Sequence, residues 1–152
     1  GEALALPREC FSLILRIVGP RHILTSLQKV SKGWLSASRD PELYATLDYL
    51  PLTMTMAPLV ALLGQPKFSR VAHLSLHHKH KLGMKGAEKL GKVAPHLAYI
   101  DARADHKLHL SDDDVLSLAA KIPSLTGLTV DMWNFSSFGV HHFAQKMGSR
   151  LQ

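Results

Sequence analysis

The stretch VAHLSLHHKHKLG, residues 71–83, reads first as an alternating segment and then as a polar turn. Val71, Leu74 and Leu76 are apolar at the first, fourth and sixth positions. The same spacing returns in LAYIDA (Leu97, Ile100, Ala102) and in LTGLTV (Leu125, Leu128, Val130), so the three segments start 26 and 28 residues apart. Self-similarity at such a step is the mark of supersecondary units that stack to bury a shared core. Each segment is followed by a polar turn and then by an apolar period near that of a helix. The helical sets are Ala87, Leu90 and Ala94; Val115, Leu118 and Ile122; and Val140, Phe143 and Met147. Pro95 and Pro123 stand where the first two helices should stop.

A strand sends alternate side chains to opposite faces, which places Leu74 and Leu76 inward and His73, Ser75 and His77 outward. Stacking the strands at about 4.8 Å would set three polar rows side by side. The rows are His73, Tyr99 and Gly127; Ser75, Asp101 and Thr129; and His77, Arg103 and Asp131. The third row alternates in sign. It is either a self-satisfied lateral ion pair, worth little at a surface, or part of a polar recognition strip. His73 and His77 would lie ~13 Å apart at ~3.3 Å per residue, too far for one zinc ion with ligands at about 2 Å. No Cys or carboxylate stands at a ligand-like spacing beside His78 and His80, so no metal site is expected and the histidines are read as surface and turn residues.

The net charge of +6 is local. Residues 66–96 hold seven Lys and Arg against Glu88 alone. A basic concentration of this kind is either a solvated face or a steering patch for an acidic partner. Single-strand nucleic-acid binding is disfavoured because no clustered aromatic side chains accompany these lysines.

The first fifty residues carry helical rather than alternating signals. Pro7 opens a helix that Gly19 and Pro20 stop, with Phe11, Ile14, Leu15 and Val18 as its apolar stripe. RHILTSLQ and VSKGWLSASRDPELYATL continue with short helices broken at Asp40-Pro41. A unit this small buries little area and should lean on a partner, on the later segments, or on both.

Two resemblances emerge from these patterns. The run Leu6, Pro7, Glu9, Ile14, Leu15, then Val30, Ser31, Lys32, Trp34, then Pro41 and Leu43 resembles the F-box, over roughly residues 5–50. Arg8 stands where an acidic residue is common, and Gly19-Pro20-Arg21-His22 replaces the usual acidic turn. The later segments resemble leucine-rich repeats of the longer type with a helix in each unit, although Lys79 and Trp133 stand where that type has Cys. Together they imply an α/β chain: an all-α F-box-like helical unit over 1–50, a bridging segment or incomplete repeat over 51–70, and a short leucine-rich-repeat solenoid over 71–152, with parallel strands and convex helices.

The resemblance implies a substrate-recognition subunit of an SCF-type ubiquitin ligase. Leu6, Pro7, Ile14, Leu15, Val30 and Trp34 would dock on the Skp adaptor of the cullin-based complex or support that docking. His73, Ser75, His77, Tyr99, Asp101, Arg103, Thr129 and Asp131 would face an unknown protein substrate. A non-ligase interaction scaffold, and nucleic-acid or anion binding through residues 66–96, are the alternatives.

Other chemistry finds little support. GAEKLGKV, residues 86–93, nearly spells a phosphate-binding loop but ends in Val93 where a hydroxyl is required, and the register makes it helix. Ser111 with Asp114 reads as a helix cap rather than a cation site. Cys10, the single cysteine, borders an apolar stripe and reads as a buried or half-buried thiol. No catalytic set and no cofactor motif is found, so a non-catalytic subunit without cofactors is expected. With one cysteine and no disulfide possible, a reducing compartment, cytoplasmic or nuclear, is expected. The longest apolar region, YLPLTMTMAPLVALLG, holds two prolines and is too short to span a bilayer, so no membrane partner is expected. The chain lacks an initiator Met and stops soon after a helical pattern, so it is expected to be part of a longer protein.

Overall fold

A computed structural model of the chain describes residues 7–48, 50–103, 107–130 and 136–150. Within them a helical cluster leads into a parallel sheet whose strands alternate with helices.

Helix α1 spans Arg8–Val18, with Pro7 at its N-cap, and ends at Gly19, whose φ of 82° is left-handed. Glycine enters that region without steric cost. Pro20 then fills the first position of α2, Pro20–Thr25, where a missing N–H loses no helical bond. The chain bends by 108° between Glu9–Val18 and Pro20–Lys29. A 3₁₀ turn over Leu27–Lys29 leads to α3, Lys32–Ala37, which Ser31 caps by accepting from the Trp34 N–H at 3.4 Å. Trp34 sets its ring edge-on to Phe11 of α1, centroids 4.7 Å apart. Edge-to-face contact is the favoured aromatic geometry and holds α3 on α1.

Tyr44 joins this cluster to the rest of the chain. It is fully buried, donates its hydroxyl to the Ser38 carbonyl at 2.6 Å and packs at 4.8 Å on Phe68. Burial pushes its pKa up to about 12, so the phenol stays a neutral donor.

The sheet has the order β1-β2-β3-β4, all neighbours parallel. Its strands are Thr46–Leu47, His73–Ser75, Tyr99–Asp101 and Gly127–Thr129. The observed register pairs His73 with Tyr99 and Tyr99 with Gly127, then Ser75 with Asp101 and Asp101 with Thr129. These are the lateral pairs that alternation predicts. One contact repeats across the sheet: the Ala45 carbonyl accepts from Ala72 and His73, Ala72 from Ala98 and Tyr99, and Ala98 from Thr126 and Gly127. Small residues at these three carbonyls mark equivalent places in successive units.

Strand β1 is not anticipated by the sequence reading, which assigns residues 1–50 to helices. Thr46 and Leu47 pair with His73 and Leu74. The physical reason is visible in the spacing. Tyr44 and Leu47 repeat the first-and-fourth apolar rule of Val71 and Leu74, and all four are buried.

Helices α4 (Met56–Leu63), α5 (Gly83–Val93), α6 (Asp112–Lys121) and α7 (Ser137–Met147) pack side by side in the order of the strands. Leu59, Leu63, Ala87, Leu90, Val115 and Leu118 face a core that also takes Leu47, Leu74 and Ile100. Gly91 lets α6 come close: a Cβ there would collide with the Lys121 carbonyl oxygen. The cap predicted at Ser111 forms in full, with Asp114 Oδ2 accepting from the Ser111 N–H at 2.9 Å and Ser111 Oγ accepting from the Asp114 N–H at 3.2 Å.

Candidate interaction surfaces

Three surfaces bring together side chains that can meet a partner. The first lies on the helical cluster. Leu13, Ile17 and Val30 are 62 %, 78 % and 64 % exposed. Leu13 and Ile17 are four apart on α1 and share a face, apart from the stripe that packs inward. Alpha-helical spacing explains why α1 is apolar on two sides. The residues singled out from the sequence divide differently. Pro7 is exposed, Ile14 and Trp34 are half-buried, and Leu15 is fully buried in the core. Leu15 therefore takes the supporting rather than the surface position among these residues: it faces inward, in a cluster where α1 packs against α2 and α3. Leu6 lies outside the described residues. Cys10 is exposed, not half-buried, because it shares the outward face with Leu13 and Ile17. Periodicity does contain this second stripe, since Cys10, Leu13 and Ile17 follow a three-and-four spacing.

The second surface is the polar face of the sheet. His73 lies against Tyr99 with ring centroids 5.3 Å apart, and the Tyr99 hydroxyl bonds the Thr129 hydroxyl across β4. Gly127 makes this possible, because a Cβ there would strike the Tyr99 ring. Ser75 and Asp101 are half-buried beside them. Thr46, paired with His73, extends the first row to β1, an addition that the three-segment spacing does not contain.

The third predicted row does not form as expected. Arg103 is exposed but turns back on its own strand, its backbone N–H and Nε donating to Asp101 Oδ1 at 2.8 and 3.4 Å. Asp131 lies outside the described residues. His77 is only 4 % exposed and is not displayed. Strand β2 ends at Ser75, so alternation no longer governs His77, and its Nε2 donates to the Pro51 carbonyl at 2.9 Å.

The third surface is built around this buried turn. His80, read as a turn residue, is fully buried. Its ring stacks at 3.7 Å on that of His77. His80 Nδ1 accepts the His77 N–H at 3.0 Å, and His77 Nδ1 accepts the Lys79 N–H at 3.3 Å. A backbone N–H is always a donor, so both Nδ1 atoms are unprotonated acceptors and each neutral ring carries its proton on Nε2. Burial, then the neighbouring His77 and His78 rings, push the His80 pKa down to about 4. Beside the turn, beyond the ends of β2 and β3, lies a cleft of about 400 Å³ lined by His78, His80, Lys81, Lys107, His109 and Asp114.

With these surfaces in place, comparison with known families is informative for the first of them. Residues 4–46 match the F-box domain. The exposed Leu13, Ile17 and Val30 all fall inside the matched span, which ends at Thr46, the first residue of β1. F-box domains bind the Skp adaptor in SCF complexes and typically belong to non-catalytic subunits of ubiquitin ligases. No curated protein matches the chain.

Proposed function

We propose that the chain is the substrate-recognition subunit of an SCF-type ubiquitin ligase, with residues 1–50 as the docking unit, 51–70 as a bridge and 71–152 as leucine-rich repeats that hold a protein substrate. The observation that carries this reading is the F-box match together with an apolar face on α1 that no described residue covers. An exposed face of large apolar side chains is the usual mark of a protein-binding site. Leu13, Ile17 and Val30 would enter the adaptor, with Pro7 at the rim and Ile14 and Trp34 supporting them from below. The parallel strands, spaced 26 to 28 residues apart and in lateral register, support the repeat reading. The polar rows of His73, Tyr99, Ser75, Asp101 and Thr129 are the natural substrate face, because solenoids commonly bind on the strand side.

In this role the chain makes and breaks no bonds. It ties a substrate to a complex that carries a ubiquitin-loaded enzyme, and so raises the effective concentration of a substrate lysine near the reactive thioester.

The test is calorimetric titration of the purified chain with the purified Skp adaptor. Binding that is weakened at least tenfold by Ile17→Asp, in a variant that melts like the parent, supports the proposal. A folded parent chain that does not bind the adaptor overturns it and favours a scaffold without a ligase role.

A further inference from the structure

Where the helical cluster meets the bridging segment, a groove of about 380 Å³ runs between the end of α3 and the 3₁₀ turn Pro66–Phe68. Gln28, Leu35, Arg39, Gln65, Pro66 and Lys67 line it. None of them belongs to the docking face on α1 or to the polar face of the sheet. The volume is within the ~300–1,000 Å³ span of small-ligand clefts.

Two cations meet in this groove. Lys67 is half-buried, and its Nζ stands over the rings of Phe68 and Tyr44, 5.1 and 5.7 Å from their centroids. Both rings are fully buried, so cation–π attraction holds the ammonium at a fixed wall. Arg39 is exposed on the other side. Burial first, and then the charge of Arg39, push the Lys67 pKa down: the two like charges repel. Neither forms an ion pair among the described residues. The carboxylates of the neighbouring turn Pro41–Tyr44 and its cap are engaged elsewhere. Glu42 binds Arg70 at 2.9 Å, and Asp40 accepts the Glu42 N–H at 3.1 Å. Two reachable cations without a counter-charge fit a partner that brings acceptor oxygens and negative charge.

The rest of the lining says what carries that charge. Leu35, 39 % exposed, and the exposed Pro66 are apolar walls. The Gln65 side-chain amide makes no hydrogen bond among the described residues, and Gln28 donates its Nε2 to the Leu24 carbonyl at 2.9 Å, keeping Oε1 as an acceptor. Side-chain amides that both donate and accept match a peptide backbone. The two aromatic rings at the groove are fully buried, so no base can stack there, as single-strand binding requires. We infer that the groove binds an acidic segment of a partner protein: a Glu or Asp carboxylate meets Arg39 and Lys67, and the apolar side chain beside it lies on Leu35 and Pro66. The inference goes beyond the ligase reading and stands without it. Because α3 walls one side and the bridging segment the other, the occupant also ties the helical cluster to the chain that follows.

The test is a nitrogen-15 NMR titration of the full chain at neutral pH with a blocked leucyl-glutamyl-leucine amide and with its glutaminyl counterpart. The expected result is saturable shifts at Arg39, Gln65 and Lys67 with a dissociation constant of about 1 mM or tighter, and binding of the glutaminyl peptide weaker by about fivefold or more. Arg39→Gln should weaken the glutamyl peptide by about threefold or more and leave the glutaminyl one as it was. Lys67→Met keeps a stem over the two rings but removes the charge, and should act alike; Arg39→Gln, an exposed change, decides the matter if Lys67→Met does not fold. Rising salt should weaken the glutamyl peptide alone. The absence of saturable shifts, equal binding of the two peptides, equal binding by the folded variants, or shifts that instead follow Lys85, Lys89 and Lys92 overturn the site. Tighter binding of a single-stranded oligonucleotide at the same residues overturns the acidic segment as occupant. So does dimerisation of the chain in sedimentation that Arg39→Gln abolishes, which would seat a second copy there. None of these measurements involves the adaptor, so their failure leaves adaptor binding to be judged separately.

Discussion

The helices that match an F-box and the strand–helix units after them solve the same burial problem in opposite ways. In α5 and α6 the apolar residues Ala87, Leu90, Val115 and Leu118 all face inward, and each unit is covered by its neighbours. In α1 the inward stripe is matched by an outward one, with Leu13 and Ile17 left in solvent. Stacked units supply their own partners, whereas the small helical cluster leaves a second apolar face in solvent. Buried apolar area therefore stabilises one region within the chain, while in the other, part of the apolar area stays exposed, the face that the proposed docking would cover.

The contrast is sharpest in truncations. Ile100→Ala or Leu118→Ala, both at fully buried positions, should cost about 2–5 kcal/mol of stability in urea titrations, as core cavities do. Ile17→Ala should cost less than about 0.5 kcal/mol, as exposed sites do. If Ile17→Ala destabilised as strongly as Ile100→Ala, the division between the two regions would fail.

Acid should act on the strand–helix region through His80. Its folded pKa of about 4 lies below the ordinary value of 6.5. The unfolded chain takes up a proton as pH falls through 6.5, while the folded one does not until about pH 4. Stability is therefore whole above pH 6.5 and declines down to about pH 4, by roughly 3 kcal/mol in all. Urea midpoints compared at pH 7 and pH 4.5 read this loss, and His80→Asn should remove most of it. A midpoint independent of pH over this window would mean that the turn does not hold the neutral ring.

A binding variant probes the other side of the comparison. The double change Leu13→Ala and Ile17→Ala should weaken adaptor binding about tenfold to a hundredfold, with little change in the urea midpoint. Unchanged affinity would move the docking surface elsewhere on the F-box. The smallest expected effect is local. Ser111→Ala deletes the acceptor of the α6 cap and should cost about 1 kcal/mol, read as a lower melting temperature with adaptor binding intact.

Much of this architecture is legible in the residue order. The starts of the strands near Val71, Leu97 and Leu125 follow from a repeated apolar spacing, and the lateral pairs follow from alternation once those strands are stacked. Helix α1 is legible as a helix, with Pro7 before it and Gly19 after it. What periodicity leaves open is which of two apolar stripes is covered. Leu15 and Ile17 look equally hydrophobic in sequence, and only the positions of α2 and α3 separate them. Strand β1 is illegible for a different reason: two residues carry almost no alternation signal, and they lie at the edge of the segment that resembles an F-box.

Turns, caps and the in–out alternation of strands arise from neighbours within a few residues, so the sequence alone determined the cap at Ser111, the stop at Gly19 and the alternation by which Leu74 turns inward between His73 and Ser75. The fate of His77 depended on Pro51, 26 residues away, and that of Gly91 on the carbonyl of Lys121. Such contacts exist only once the chain has folded. The tertiary structure alone therefore decided which histidines are hidden, which stripe of α1 stays in solvent, and that Arg39 and Lys67 share one groove.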